Sequence, residues 1–305
     1  MSKKILHIIG NGFDLAHGIK SSYWNFGEFV EENNKELFDT LERYFDSEML
    51  WSDFEAALAE LNTDDMVEDA MAYLQDYGAE NWSESGNHDY QYELGKNIDR
   101  ITKELKEAFT QWILQIEIPP TAGDNRLGIQ IHELFLTFNY TPTLERVYHV
   151  DHVDIKYIHN KAIDKDSQLI LGHSRNTEGT SFNNTSDLEG IDVRIYEGNQ
   201  LLDEYFKVTY KPTEKIIEDN AEFFDSLTLI EEIHVIGHSM SEVDYGYFEK
   251  IVAKTDADKV RWRISYHDNK DLIKHQKAAD DLGLNPAKTE HILARDFYTI
   301  QPKLF

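Results

Sequence analysis

Histidine is the side chain best suited to proton transfer near neutral pH. One histidine, His159, directly follows the run KYI. A lone histidine is more often a structural residue than a catalyst, so its role depends on which other polar residues converge with it. Asn139 is a second candidate, because it directly follows the apolar run LFLTF, which contains Thr137, and precedes Tyr140. An asparagine there can equally be a turn residue, and the threonines that follow it can cap a helix.

Two glycine-containing turns are candidates for contacting a phosphate or a ribose. They are Gly10-Asn11-Gly12-Phe13-Asp14 after the run ILHII, and Gly237-His238-Ser239 after IHVI, with Asp244 in the helix that follows. Glycine lets the backbone approach a phosphate closely, and a helix N-terminus attracts negative charge. The first turn lacks the third glycine of the dinucleotide-binding fingerprint, since Leu15 stands in its place. In the second turn, Ser241 can also act simply as a helix cap.

Short apolar runs that alternate with helical periodicity predict a parallel sheet covered by helices on both faces. Strands are predicted at 3–9, 133–138, 155–158, 169–171, 233–236 and 260–266. Helices are predicted at 141–149, 213–226, 243–254 and 269–282. Ligands of such sheets bind outside the carboxyl ends of the strands, so we expect the polar strand ends to meet at one edge.

The segment 22–118 is helical in its periodicity and strongly acidic. Between Ser21 and Glu117 there are 24 acidic and 6 basic residues, so this third of the chain carries −18 of the total charge of −27. We therefore predict an acidic helical insertion or cap at 22–118, and an α/β domain built from 1–21 and 119–305. Because nucleic-acid binding depends on basic residues that neutralise phosphates, a nucleic-acid partner is not expected.

The composition also limits the possible chemistry and location. The chain has no cysteine, which excludes disulfides, thiolate catalysis and cysteine-ligated zinc or iron–sulfur sites. The carboxylates show no recognisable ligand spacing, so no metal is expected. No signal peptide or spanning helix is visible, and we expect a cytoplasmic protein without a membrane partner.

Four segments together resemble the bacteriophage abortive-infection AbiH family, in order and over nearly the whole chain. They are GNGFDLAHGI with SYWNF, LFLTFNYTPTLE, IHN followed by LILGH, and VIGHSMSEVDYGYF. More distantly, they are similar to sirtuin-like domains, which have a Rossmann-like sheet. In those domains a first glycine turn, a threonine-asparagine-tyrosine strand end, a histidine-glycine pair and a late glycine-x-serine strand end surround NAD. This resemblance implies that Gly10, Gly12, Asn139, His159, Gly237 and Ser239 line one pocket. The sequence departs from the sirtuin-like pattern at Asn160, where a glycine is expected, and at Asn11 and Phe13.

The resemblance implies an antiphage protein that hydrolyses NAD, its substrate, at the nicotinamide–ribose bond. By analogy, Asn139 orients the ribose hydroxyls or the attacking water, and His159 accepts a proton. The other residues implied to contact NAD are Gly10, Asn11, Gly12, Phe13, Asp14, Thr137, Tyr140, Gly237, His238, Ser239 and Asp244.

Other functions remain open at this point. The main alternative is a non-catalytic sensor of NAD or ADP-ribose that signals through the acidic helices. A metal-dependent nuclease is a further alternative, whereas a sirtuin-type deacylase would need a cysteine-ligated zinc module. A homo-oligomer or a phage-derived trigger is a possible partner.

Overall fold

The computed structural model describes residues 4–78, 83–84, 86–123, 126–129, 133–176, 178–183, 192–256 and 259–299. The chain forms two compact units. The first contains Met1–Ser22, Thr110–Ile170 and Pro212–Phe305, and the second contains Tyr23–Phe109 and Leu171–Lys211. In the described part of the chain, no helix is both long and apolar enough to cross a bilayer.

The first unit contains a six-stranded sheet in which every pair of neighbours is parallel. Its strands are β1 Ile5–Ile9, β2 Leu134–Thr137, β3 Ile155–Tyr157, β4 Glu232–Ile236, β5 Arg261–Tyr266 and β6 Thr289–Leu293, in the order β3-β2-β1-β4-β5-β6. The central strands β1, β2 and β4 are almost completely buried. Such burial needs cover on both faces, which explains why these strands are mostly apolar, with polar exceptions such as His7 in β1 and His234 in β4. The predicted parallel sheet is thus confirmed.

The sheet departs from the sequence prediction at two places. The apolar run 169–171 is not a strand, although Leu169 and Leu171 are buried. Its middle residue, Ile170, instead donates its N–H to the carbonyl of His159, so the run is a buried loop. Strand β6 was not predicted, because on this edge strand only Ile292 is buried and the three residues before it are polar.

The helices of the first unit pack around this sheet. They are α1 Asn11–Ala16, α9 Thr143–Tyr148, α11 Thr213–Asp219, α12 Ala221–Asp225, α13 Tyr245–Lys254, α14 Asn269–Asp281 and α15 Ala294–Thr299. Five of them, α9, α11, α12, α13 and α14, lie within the predicted helical ranges, and the single range 213–226 is divided into α11 and α12 at Asn220. Two separate apolar clusters are formed, one containing Leu6, Ile8 and Val235 and the other Ile9, Phe13 and Ile236. Residues that alternate along β1 and β4 therefore enter different clusters, as expected for a sheet buried on both faces.

The second unit is helical in the residues that the structure describes. Its helices are α2 Tyr23–Asn33, α3 Lys35–Tyr44, α4 Ser47–Ser52, α5 Phe54–Ala57, α6 Thr63–Met71, α7 Asp89–Asp99 and α10 Val193–Val208, while α8 Leu105–Gln115 contributes to both units. Segment 171–211 groups with 23–109 because α10 packs closely on α7, where a Cβ on Gly198 would lie 2.5 Å from the ring of Tyr90. The predicted insertion, 22–118, covers the first of these two stretches.

Candidate active site

Four polar residues stand at equivalent positions beyond four neighbouring strands. Tyr157, Thr137, Ile9 and Ile236 form a row of paired residues across β3, β2, β1 and β4. The residues two positions after each of these four in the sequence are His159, Asn139, Asn11 and His238. Parallel strands lie about 4.8 Å apart, so the shared register carries these residues to the same edge of the sheet. From β1, the strand order continues to β2 and β3 on one side and to β4, β5 and β6 on the other. Open sheets bind ligands at this switch point, which lies at the same edge.

The glycines of the two turns allow their backbones to pack against each other. Gly10 donates its N–H to Ile236 (3.0 Å), and Gly12 donates its N–H to Gly237 (2.8 Å). Gly237 has a positive φ of 64°, and a Cβ on it would lie 2.2 Å from the nitrogen of Phe13. Close packing therefore accounts for all three glycines, and the N–H groups of Gly10 and Gly12 are already bonded within the protein. Their contact with a phosphate remains a prediction.

The other residues of the first turn hold the local structure. Both ends of the Asn11 amide bond Ser21, since Nδ2 donates to its carbonyl (2.8 Å) and Oδ1 accepts from its hydroxyl (2.6 Å). Phe13 is completely buried in an apolar cluster and contacts the ring of His17. Their predicted contact with NAD is left to experiment.

Asn139 is held in one orientation at the end of β2. Its backbone N–H donates to Oγ1 of Thr137 (3.1 Å), and its Nδ2 donates to the carbonyl of Gly10 (3.1 Å). A carbonyl can only accept, so the NH₂ group of the amide must face Gly10 and the oxygen must face the other way. Among the described residues, no group donates to Oδ1 of Asn139. The side chain can therefore accept a hydrogen bond from a ligand.

Asp14 is a buried carboxylate beside this amide, with only 1 % of its surface exposed. Its Oδ2 accepts a hydrogen bond from Thr141 (2.5 Å), whose hydroxyl lies 3.1 Å from that of Thr143. Burial raises the pKa of Asp14 to about 6, because desolvation outweighs the hydrogen bonds from Thr141, Thr143 and Asn139. The Oδ1 atom is buried without a hydrogen bond of good geometry in the described part of the chain.

The raised pKa of Asp14 predicts a specific pH dependence of stability. The folded protein holds this proton up to about pH 6, whereas the unfolded chain releases it near 3.8. The contribution of Asp14 protonation to the free energy of unfolding is thus fully present below about pH 3.8 and is lost as the pH rises through about 6. It amounts to on the order of 3 kcal/mol in total. Urea unfolding of the wild type and Asp14→Asn at several pH values measures it. We expect the stability of the wild type relative to the variant to fall over this window, and a constant difference would contradict the assignment.

Two histidines share one carboxylate at this edge. Nε2 of His159 lies 3.6 Å from Oδ1 of Asp244, and Nε2 of His238 lies 3.5 Å from Oδ2 of the same side chain. All three residues are buried, and the ring of Phe138 contacts both imidazoles. Nδ1 of His238 accepts the N–H of Met240 (2.9 Å), which places the ring proton of a neutral His238 on Nε2, facing Asp244. His238 therefore helps to hold Asp244, and Asp244 can stabilise a proton on His159.

The remaining predicted residues differ in their exposure and contacts. Tyr140 is buried, and its hydroxyl donates to the carbonyl of Ile170 (2.7 Å), which ties the buried loop to the site. Ser239 is exposed and so can be reached by a ligand. Asn160 has a positive φ of 67°, a conformation that asparagine tolerates better than most residues.

Sequence reasoning missed two sets of contacts. It treated Thr141 and Thr143 only as possible helix caps, yet they hold the carboxylate of Asp14, 127 residues away from Thr141. It also passed over Ser265 on β5, whose hydroxyl accepts the N–H of Gly237 (2.9 Å). A buried serine in the run RWRISY was the available signal for the second contact.

Two comparisons with known proteins complete the description. The comparison with curated proteins gave no match. The sequence model of the family described as bacteriophage abortive infection AbiH matches residues 6–266, a range that includes every candidate residue of the site. The match covers most of the chain, and the chain therefore belongs to the AbiH family of bacteriophage abortive-infection proteins.

Proposed function

We propose that this abortive-infection protein binds NAD and hydrolyses the bond between nicotinamide and ribose. The observation that carries the proposal is that Asn139 and His159 follow neighbouring strands at the same edge of the sheet, with Asp244 3.6 Å from His159. The order β3-β2-β1-β4-β5-β6 is the one used by Rossmann folds that bind dinucleotides. The resemblance of these same segments to sirtuin-like domains supports NAD as the ligand.

The residues present offer distinct contacts to the parts of NAD. The acceptor oxygen of Asn139 suits a ribose hydroxyl or a water molecule, because either can donate to it. The exposed hydroxyl of Ser239 suits the pyrophosphate. The N–H groups of Gly10 and Gly12 would have to be released from Ile236 and Gly237 before they could contact a phosphate.

The chemistry breaks the bond between C1′ of the ribose and the nicotinamide nitrogen. Nicotinamide leaves from a cationic ring with the bonding electron pair, so its departure needs no general acid. Positive charge develops on the ribose, and water attacks C1′ to give ADP-ribose. His159 accepts the proton released by the water or by a ribose hydroxyl, and Asp244 stabilises the resulting imidazolium. Asn139 orients the group that loses the proton.

The proposal is tested with the purified full-length protein and NAD. Chromatography should show nicotinamide and ADP-ribose in equal amounts, and Asn139→Ala should release both at a rate reduced by about 10²-fold. Asn33→Ala is a matched control, because the side chain of Asn33 donates to the carbonyl of Phe29 on the exposed surface of α2. If neither product forms and calorimetry detects no binding of NAD, the proposal fails.

A non-catalytic sensor of NAD or ADP-ribose is the second candidate. It is favoured by the burial of His159 and His238, which are 3 % and 5 % exposed, and by the internal bonding of the glycine turns. Such a site can hold a nucleotide after a local opening without having a base placed for turnover. Calorimetry that detects binding of NAD, together with product analysis that detects no nicotinamide, would favour the sensor over the hydrolase.

A further inference from the structure

The second unit contains an open groove between α6 and α10, with a volume of about 450 Å³. This volume lies within the range of protein ligand sites. One face of α6 lines the groove with residues at positions i, i+3, i+4 and i+7, which are Asp64, Val67, Glu68 and Met71. A different face of α6, with Met66 and Ala70, is buried in the unit. The helix therefore has one packed face and one open face that also carries apolar side chains.

The other wall of the groove contains Phe182, whose backbone is fixed by α10. Its N–H donates to the carboxylate of Asp203 (3.0 Å), and its carbonyl accepts a hydrogen bond from Nδ2 of Asn199 (3.3 Å). The ring of Phe182 stacks on that of Phe206, yet 41 % of the residue remains exposed. Since this aromatic residue is already held in place, an apolar side chain that binds against it costs little additional ordering.

The rim of the groove is acidic. Asp64 and Glu68 are exposed, and neither forms an ion pair with a residue that the structure describes. The same helix carries two further carboxylates, Asp65 and Asp69, and it has no basic residue. A partner that is complementary to this groove must therefore present an apolar side chain flanked by positive charges.

Helix α14 of the first unit presents such a face. Ile273 is 67 % exposed, and the lysines at three positions before it, one after it and four after it are Lys270, Lys274 and Lys277. These four residues stand at i, i+3, i+4 and i+7, so they share one face of the helix. All three lysines are exposed. Lys277 pairs with Asp281 on the same helix, whereas Lys270 and Lys274 have no ion pair within the described part of the chain.

We propose that the partner is a second copy of this chain, whose α14 binds in the groove between α6 and α10. Ile273 of the second copy inserts beside Val67 and Met71. The lysines around it face the carboxylates of Asp64 and Glu68. Both faces extend over about two turns, or about 10 Å, so their lengths match. An amphipathic helix in an apolar groove is a common mode of protein recognition, and this contact does not depend on NAD.

Association has to overcome the total charge of −27 that each copy carries. At physiological ionic strength, charges separated by more than about 8 Å are largely screened, so the close pairs at the contact decide its energy. Two helical turns form a small interface, and we expect a dissociation constant between about 1 µM and about 1 mM. Because the two surfaces differ, the contact is either made reciprocally in a dimer or repeated from copy to copy.

Sedimentation velocity of the full-length protein tests the apolar part of the contact. Over about 1 µM to about 1 mM, the sedimentation coefficient of the wild type should rise with concentration. Ile273→Ser should raise Kd by about 10- to 100-fold, because the buried anchor is lost. Ile163→Ser is the matched control at a position that is 72 % exposed, and it should associate like the wild type. A wild type that stays monomeric over this range would overturn the proposal.

The charges are tested by reversing one on each surface. Glu68→Lys and Lys274→Glu should each raise Kd about 10-fold or more, because like charges then meet at the contact. An equimolar mixture of the two variants should associate again, since α14 is intact in the first and the groove is intact in the second. Glu48→Lys, at an exposed position of α4, changes the total charge equally and should associate like the wild type.

The mixture distinguishes this contact from a structural defect, which mixing does not repair. Single charge variants that associate like the wild type, or a mixture that associates no better than its components, would overturn the proposal. A monomeric wild type whose groove binds an unrelated helical peptide of leucine and lysine, with binding lost in Glu68→Lys, would also overturn it, in favour of a foreign basic partner.

Discussion

Replacing His159 with alanine is expected to lower the rate of nicotinamide release by about 10²- to 10⁴-fold, the usual contribution of a general base. The reason is the position of His159 beside Asp244, with Nε2 and Oδ1 3.6 Å apart. Without this imidazole, the proposed acceptor of the proton beside Asp244 is lost. Steady-state chromatography of nicotinamide at saturating NAD measures the effect, and calorimetry checks that NAD still binds.

His152→Ala is the matched control for this prediction. His152 precedes β3, so it lies near the amino ends of the strands, opposite to the candidate site at their carboxyl ends. Its side chain is 80 % exposed. The His152→Ala variant should release nicotinamide at the wild-type rate. Nicotinamide release that is equal in His159→Ala and the wild type would remove His159 from the mechanism.

Gly237→Ala is expected to cause the largest loss of stability among single substitutions at the site. The left-handed conformation costs alanine about 1–2 kcal/mol, and the new Cβ would lie 2.2 Å from the nitrogen of Phe13, which adds about 1–3 kcal/mol of overpacking. The two turns must separate to admit it, which breaks the hydrogen bond from Gly12 to Gly237. Urea unfolding should show a free energy of unfolding reduced by about 2–5 kcal/mol.

Gly283→Ala separates the two contributions. Gly283 has nearly the same conformation, with a φ of 68°, but a Cβ on it would meet no heavy atom within 4 Å. The free energy of unfolding of Gly283→Ala should therefore fall only by the cost of the left-handed conformation, about 1–2 kcal/mol. Equal losses in the two variants would show that the turns do not pack as tightly as described.

The sequence predicted five of the six strands and missed β6. Strands β1, β2 and β4 were recognisable because sheets covered on both faces need continuous apolar runs. Strand β6 lies at the edge and buries mainly Ile292, so its residues resemble a loop. The run 169–171 has the opposite property, since its leucines are buried although its backbone does not form a strand.

The candidate site was predictable where it depends on strand ends. Asn139 and His159 could be found because a polar residue directly after a buried strand must lie at the edge of the sheet. The contact between Asp14 and Thr141 could not, because it joins residues 127 positions apart and depends on how two turns fold over the edge. The sharing of Asp244 between His159 and His238 arises in the same way.

Determining the structure of the protein with NAD or ADP-ribose bound tests the central claim most directly. We predict the nucleotide at the carboxyl ends of β1, β2 and β4, with a ribose hydroxyl or a bound water within hydrogen-bonding distance of Oδ1 of Asn139. The imidazole of His159 should face the same ribose. A nucleotide bound away from this edge, or its absence at saturating concentration, would contradict the account.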